Sequence, residues 1–166
     1  MTLRGANEFE IVFQAKGTAS GKMRSEIDLT WVRPDGRNTH FQLATDESVA
    51  LGGEDSAPPP LAYFAASMVG CLMTHVRAFS KTMRIPVRDV DVDASFRWRG
   101  RRASEAPYES RLEAIALDIE IDSDAAEGDL LRLIAAAKQG CFIEQSLSSD
   151  VAVSHRLKRR GGWTSL

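Results

Sequence analysis

Apolar and polar positions alternate along several stretches of the chain, and the alternation predicts where strands lie. Residues 9–15, Phe-Glu-Ile-Val-Phe-Gln-Ala, read as a first strand. A Gly-rich turn at Gly17 to Gly21 follows, and residues 24–33 read as a second strand in which Ile27, Leu29 and Trp31 share one face. Arg33-Pro34-Asp35-Gly36 has tight-turn chemistry, since proline presets φ and glycine tolerates a positive one. Residues 38–44 then return, making an antiparallel meander. Further on, Val90, Val92, Ala94, Phe96 and Trp98 alternate with Asp91, Asp93, Ser95, Arg97 and Arg99, which predicts a strand buried on one face. After a polar loop at 100–108, Ile115, Leu117, Ile119 and Ile121 mark the returning strand.

Two stretches follow the helical period instead. Gly52-Gly53 and Pro58-Pro59-Pro60 close an acidic loop over 45–60, and proline is well placed before or at a first helical position. A helix is predicted from there to about Met83, apolar on nearly every side. Such a helix has to be covered all round, so a partner subunit is expected to supply part of the cover. Asp124 with Glu127 three residues later is a helix-start signature. The second helix carries Leu130, Leu131, Leu133, Ile134 and Ala137 and ends at Gly140, with Cys141 next. Cys141 to Leu147 forms a further helical turn in this reading, Val151-Ala152-Val153 a last strand, and His155 to Leu166 a loosely held basic tail.

Composition narrows the class. With 43% hydrophobic and 27% charged residues over 166 positions, the chain is a globular domain rather than a disordered or fibrous one. It reads as a single domain over 1–166, with a core at about 9–157 and a basic tail at 158–166. Lys and Arg number 21 against 23 Asp and Glu, so no global charge argues for nucleic acid or a membrane surface. The run Arg97, Arg99, Arg101 and Arg102 interleaves with Phe96 and Trp98, but a strand sends the aromatics and the arginines to opposite faces, so it reads as a solvated face. Arg156, Lys158, Arg159 and Arg160 read the same way. The apolar stretch Leu61 to Met73 is too short to span a bilayer. No signal peptide is visible at the start, and a cytoplasmic location with reduced thiols is expected.

Chemistry concentrates on two cysteines. Cys71 lies inside the long helix after Gly70, which leaves room for a close approach to the sulfur. Cys141 follows the second helix. Each can be a small hydrophobe filling a helix contact, or a reactive thiol. With a free pKa near 8.5, only about 3% of a thiol is ionised at pH 7, so reactivity needs a nearby cation or hydrogen-bond donors. His75 is four residues beyond Cys71, on the same helical face. It can pair with a thiolate, join the cysteines at a metal, or stand as an ordinary histidine. Two cysteines and one histidine make an incomplete metal set, and no CxxC motif is present. No metal and no cofactor are expected.

Gly52-Gly53, Pro58-Pro59-Pro60-Leu61, Ala65-Ala66, Gly70-Cys71, Cys141-Phe142-Ile143-Glu144-Gln145-Ser146-Leu147 and Val151-Ala152-Val153 stand in an order that resembles the osmotically inducible protein C / organic hydroperoxide resistance (OsmC/Ohr) family over roughly residues 10–157. The resemblance implies an α+β fold with antiparallel sheets wrapped around long central helices, built as an intertwined homodimer. It implies a thiol-dependent peroxidase for small organic hydroperoxides, with Cys71 attacking the peroxide, Cys141 resolving it as a disulfide, and a dithiol as reductant. Phe64, Met68 and His75 would line the substrate pocket. Strongly active members carry a glutamate just after the helix-start proline, where this chain has Leu61-Ala62; Glu54 or Asp55 stands nearby. They also carry an arginine in the turn before the second strand, a part that falls here to Arg24 or Lys22. The alternative to a peroxidase is a non-enzymatic dimer that binds a small apolar ligand and keeps its cysteines structural.

Overall fold

The structure, a computed structural model, describes residues 8–102, 104, 107–159 and 162–166. The chain divides into two compact units, Met1–Tyr63 and Phe64–Leu166.

The first unit is a three-stranded antiparallel sheet in the order β1 (Val12–Ser20), β2 (Arg24–Val32), β3 (Thr39–Thr45). The expected meander is present. The expected Gly17–Gly21 turn is shorter than predicted: β1 runs through Gly17, which pairs with Ile27, and the chain reverses only at Gly21, where φ is +65°. A glycine without a tight-turn partner is simply carried along the strand by the pairing on either side. At the next reversal Gly36 takes φ +75° and donates its N–H to the Arg33 carbonyl, as the Pro-Asp-Gly chemistry predicts. A 3-10 turn at Val49–Leu51 and the loop to Pro59 complete the unit, and α1 (Pro60–Met83) begins in it.

The second unit holds the rest of α1, then β4 (Asp89–Arg101), β5 (Glu109–Asp122), α2 (Glu127–Gly140), α3 (Phe142–Gln145), β6 (Ala152–Arg159) and β7 (Gly162–Ser165). Its sheet has the order β4-β5-β6-β7. Antiparallel pairing is broken once: β5 and β6 run parallel, Ile115 beside Val153 and Leu117 beside His155. A parallel neighbour needs a long crossover, and α2 with α3 is that crossover. The core is built from one stripe of α1 (Met68, Leu72, Val76), the inward residues Val90, Ile115, Leu117, Ile119 and Leu157 of the sheet, and Leu130, Leu133, Ile134 and Ala137 of α2. The i, i+4, i+8 spacing along α1 is what a single buried helical face requires.

Three expectations change here. The segment from His155 onward is not a loose tail: β6 continues to Arg159 and β7 pairs back onto it. Arg156 and Lys158 pair with Asp118 and Glu120 of β5, and Arg156 also lies 5.3 Å over the Trp163 ring. Arg160 lies outside the described residues, as do parts of the 100–108 loop. Second, Asp124 does not cap α2. Ala126 occupies the N-cap without a side-chain bond, and Asp124 is taken by Arg88, which also holds Asp122 at 2.5 Å. An arginine outcompetes backbone amides for a carboxylate because both partners are charged. Third, β4 extends to Arg101, shortening the loop. The alternation along β4 is as predicted, and Arg99 and Arg101 of its outer face pair with Glu113 and Glu109 of β5. No described helix is long and apolar enough to cross a membrane.

Candidate active site

The second unit brings both cysteines together. Phe64, Met68, Cys71 and His75 follow one another along α1 at spacings of four, three and four, so they form one stripe on one face. Phe64 sets its ring edge-on to Phe96 and Trp98, with centroids 6.1 and 5.8 Å away. Phe96 and Trp98 stack on each other at 5.6 Å, because alternation in β4 sends both to the same side. Met68 is fully enclosed in the core, whereas Cys71 is only half-buried.

Cys141 sits between α2 and α3 and is completely buried. Its thiol lies near enough to that of Cys71 for the two to influence each other's ionisation, and both are free. Burial pushes the Cys141 thiol up to about 11, and the adjacent Cys71 sulfur adds to the rise, while the backbone N–H groups of Glu144 and Ile143 pull against it. At neutral pH Cys141 is therefore held as the neutral thiol. The pair is thus asymmetric: a half-buried cysteine stands beside a fully buried one kept as neutral thiol. Spacing could not show this, because the two lie 70 positions apart and meet only through tertiary folding.

His75 lies beside the pair. Its Nδ1 is 2.8 Å from the Cys71 carbonyl oxygen and 3.7 Å from Cys71 Sγ. The imidazole is boxed in by Phe79 at 5.3 Å and Phe142 at 5.9 Å between centroids. Gly140 allows this packing. A Cβ there would fall 2.7 Å from the Phe79 ring and 2.9 Å from His75 Cδ2. Behind Cys141, Glu144 reaches the buried His155, with Nε2 3.1 Å from Oε2, and His155 Nδ1 is enclosed with no protein partner. Since a carboxylate only accepts, Nε2 carries the proton. The bond ties the Cys141 turn to β6. Sequence reading missed this latch, because its histidine was assigned to a tail.

Arg24 and Glu54 occupy a network of the first unit. Arg24 donates from Nη1 to the Ser56 carbonyl and hydroxyl, both at 2.9 Å, and from Nε to Glu26 at 2.6 Å. Glu54 pairs with Lys22 at 3.2 Å, both of them exposed. Asp55 adopts φ +53° and accepts from the Val49 N–H. The centre of the network is Asp46, a buried carboxylate that the sequence did not single out. It accepts from the Glu47, Glu54 and Ser56 amides and from the Ser56 hydroxyl at 2.7 Å. The Ser56 hydroxyl first, then these amides, hold its pKa down to about 2. A depressed carboxylate stabilises the fold above its ordinary pKa of 3.8 and loses that contribution as pH falls toward 2. Asp46→Asn is therefore expected to lower the urea midpoint at pH 7, with the gap to wild type closing between about pH 4 and pH 2. A gap of constant size across that range would exclude ionised Asp46 as the cause.

Residues 53–156 match the profile of the OsmC-like protein family. The chain belongs to that family. An OsmC-like hydroperoxide resistance protein from Jannaschia sp. CCS1 is 39% identical over 94% of this chain and 98% of its own, with a TM-score of 0.54. Organic hydroperoxide resistance proteins from Legionella pneumophila and Elizabethkingia anophelis share the fold at 19% and 17% identity. Their TM-scores are both 0.62, over 90% and 92% of this chain and 96% and 98% of theirs. No curated protein matches significantly. Within the OsmC-like fold the glycines of the resemblance have physical reasons. Gly52 takes φ +90° after the 3-10 turn, and a Cβ on Gly53 would lie 1.9 Å from the Glu47 carbonyl oxygen. Gly70, next to Cys71, has nothing within 4 Å of its Cβ position. Among the described residues no cluster of three His, Cys, Asp or Glu side chains is arranged for a metal.

Proposed function

We propose that the protein is a thiol-dependent peroxidase for organic hydroperoxides, with Cys71 as the peroxidatic and Cys141 as the resolving cysteine. The observation that carries this reading is the pair of neighbouring free cysteines, one half-buried and one fully buried and neutral. The Cys71 thiolate attacks the terminal peroxide oxygen. The O–O bond breaks, the alkoxide takes a proton and leaves as an alcohol, and Cys71 becomes a sulfenic acid. The Cys141 sulfur then attacks the Cys71 sulfur, and hydroxide leaves with the Cys141 proton as water. A dithiol returns two electrons and two protons and leaves as its own disulfide. Atoms and electrons balance without Arg24 or Glu54.

An organic rather than a hydrogen peroxide fits the partly buried Phe64 ring on the same stripe of α1 as Cys71, while Met68 lies in the core behind it. A homodimer belongs to the same reading. Leu61 of α1, and Ile11, Phe13 and Phe41 of the first unit, are 40–53% exposed in the single chain, and Gly70 is open to a close neighbour. A second copy would cover such surface.

Titration with one equivalent of an organic hydroperoxide tests the function. Wild type is expected to lose both thiols and two hydrogens in intact mass. Cys141→Ser is expected to gain one oxygen on Cys71. Thiols that survive in folded protein would sink the reading and leave the apolar ligand-binding alternative.

A further inference from the structure

His75 Nδ1 is 2.8 Å from the Cys71 carbonyl oxygen, and a carbonyl only accepts, so Nδ1 carries a proton. The same N–H is 3.7 Å from Cys71 Sγ. One donor is therefore shared between two acceptors of one residue. The ring cannot readily turn to offer the other nitrogen. Phe79 and Phe142 flank it, and Gly140 sits so close that even a methyl there would press on Cδ2. Neutral Cys71 is a weak acceptor and leaves the N–H on the carbonyl. A thiolate is a charged acceptor and competes for it.

We propose that His75 is the hydrogen-bond donor that holds the Cys71 sulfur as it becomes a nucleophile, its Nδ1–H passing from the Cys71 carbonyl to the Cys71 thiolate. The histidine neither gains nor loses a proton. The thiol proton goes to solvent, and the alkoxide released by the peroxide takes one back. The assignment rests on Cys71 being the attacking sulfur. Phe142, one residue past Cys141, is packed on the same ring, so the donor is held by the turn that carries the resolving cysteine.

The test compares His75→Phe, which keeps an aromatic ring in the box but has no donor, with His75→Asn, whose amide N–H takes the place of Nδ1–H. Iodoacetamide alkylation of Cys71 in the reduced protein, read by peptide mass, reports nucleophilicity without any peroxide. His75→Phe is expected to alkylate about tenfold more slowly, as for loss of one hydrogen bond to a charged group, and His75→Asn to recover to within about threefold of wild type. The single-turnover oxidation by organic hydroperoxide is expected to follow the same order. Alkylation of His75→Phe at the wild-type rate, or of His75→Asn as slowly as His75→Phe, would overturn the role. If His75→Phe does not fold, ring nitrogen NMR of the wild-type protein decides: a proton on Nδ1 that responds to alkylation of Cys71 supports it, and a proton on Nε2 alone overturns it. Alkylation that follows the expected order while peroxide leaves Cys71 untouched would sink the peroxidase and keep the donor.

Discussion

Cys71→Ser is expected to reduce organic hydroperoxide consumption to the uncatalysed background, a fall of about a thousandfold or more, equivalent to at least about 4 kcal/mol of barrier. Two causes act together. A serine hydroxyl is not ionised at neutral pH and is a poor nucleophile without an adjacent base. Its oxygen also cannot take up the transferred oxygen as a stable acid, whereas sulfur can. Cys141→Ser is expected to behave differently. The first oxidation of Cys71 proceeds at close to the wild-type rate, because the attacking sulfur is unchanged, and steady turnover with a dithiol then slows sharply. Coupled consumption of peroxide and dithiol measures both. Sustained turnover by Cys71→Ser, or a first oxidation lost in Cys141→Ser alone, would reverse or reject the two roles.

Gly53→Ala is expected to destabilise the first unit by about 3 kcal/mol. The added methyl would meet the Glu47 carbonyl oxygen at 1.9 Å and its carbon at 2.4 Å. Both are backbone atoms, so no rotamer change relieves the overlap and the loop has to move. That movement breaks what Asp46 holds: the amides of Glu47, Glu54 and Ser56 would all lose their acceptor. Faster hydrogen exchange at those three amides, with a lower urea midpoint, is the expected signature. Gly128→Ala in α2 is the contrast, since nothing lies within 4 Å of its Cβ position and alanine favours a helix by about 1 kcal/mol. A midpoint for Gly53→Ala equal to wild type would show that the loop packs less tightly against Glu47.

Local pattern carried the parts of the fold that local physics decides. The β4 alternation from Val90 to Trp98 and the proline entry to α1 at Pro60 needed only neighbours in sequence. Failures came where a distant partner intervened. Asp124 has the spacing of a cap, but Arg88, 36 residues earlier, takes its carboxylate. His155 has the look of a tail residue, yet β5 pairs with its strand and Glu144 buries its ring contact. Asp46 is one acidic residue in an acidic loop, and only its enclosure by four donors sets it apart. For the candidate site, the identity of both cysteines and the neighbourhood of His75 were legible. Their nearness was implied by the family resemblance and not by spacing; the difference in their burial and the box around the imidazole were not legible, because Phe142 and Gly140 reach that place through the crossover.

The parallel pairing of β5 with β6 has a consequence in time. Cys141 lies inside the crossover between β5 and β6, so its place is fixed at both ends by strands that lie side by side in the finished sheet. At ribosomal rates the 70 residues from Cys71 to Cys141 take roughly 4–14 s to emerge. Throughout that interval the nascent chain carries Cys71 without the second cysteine of its own sequence.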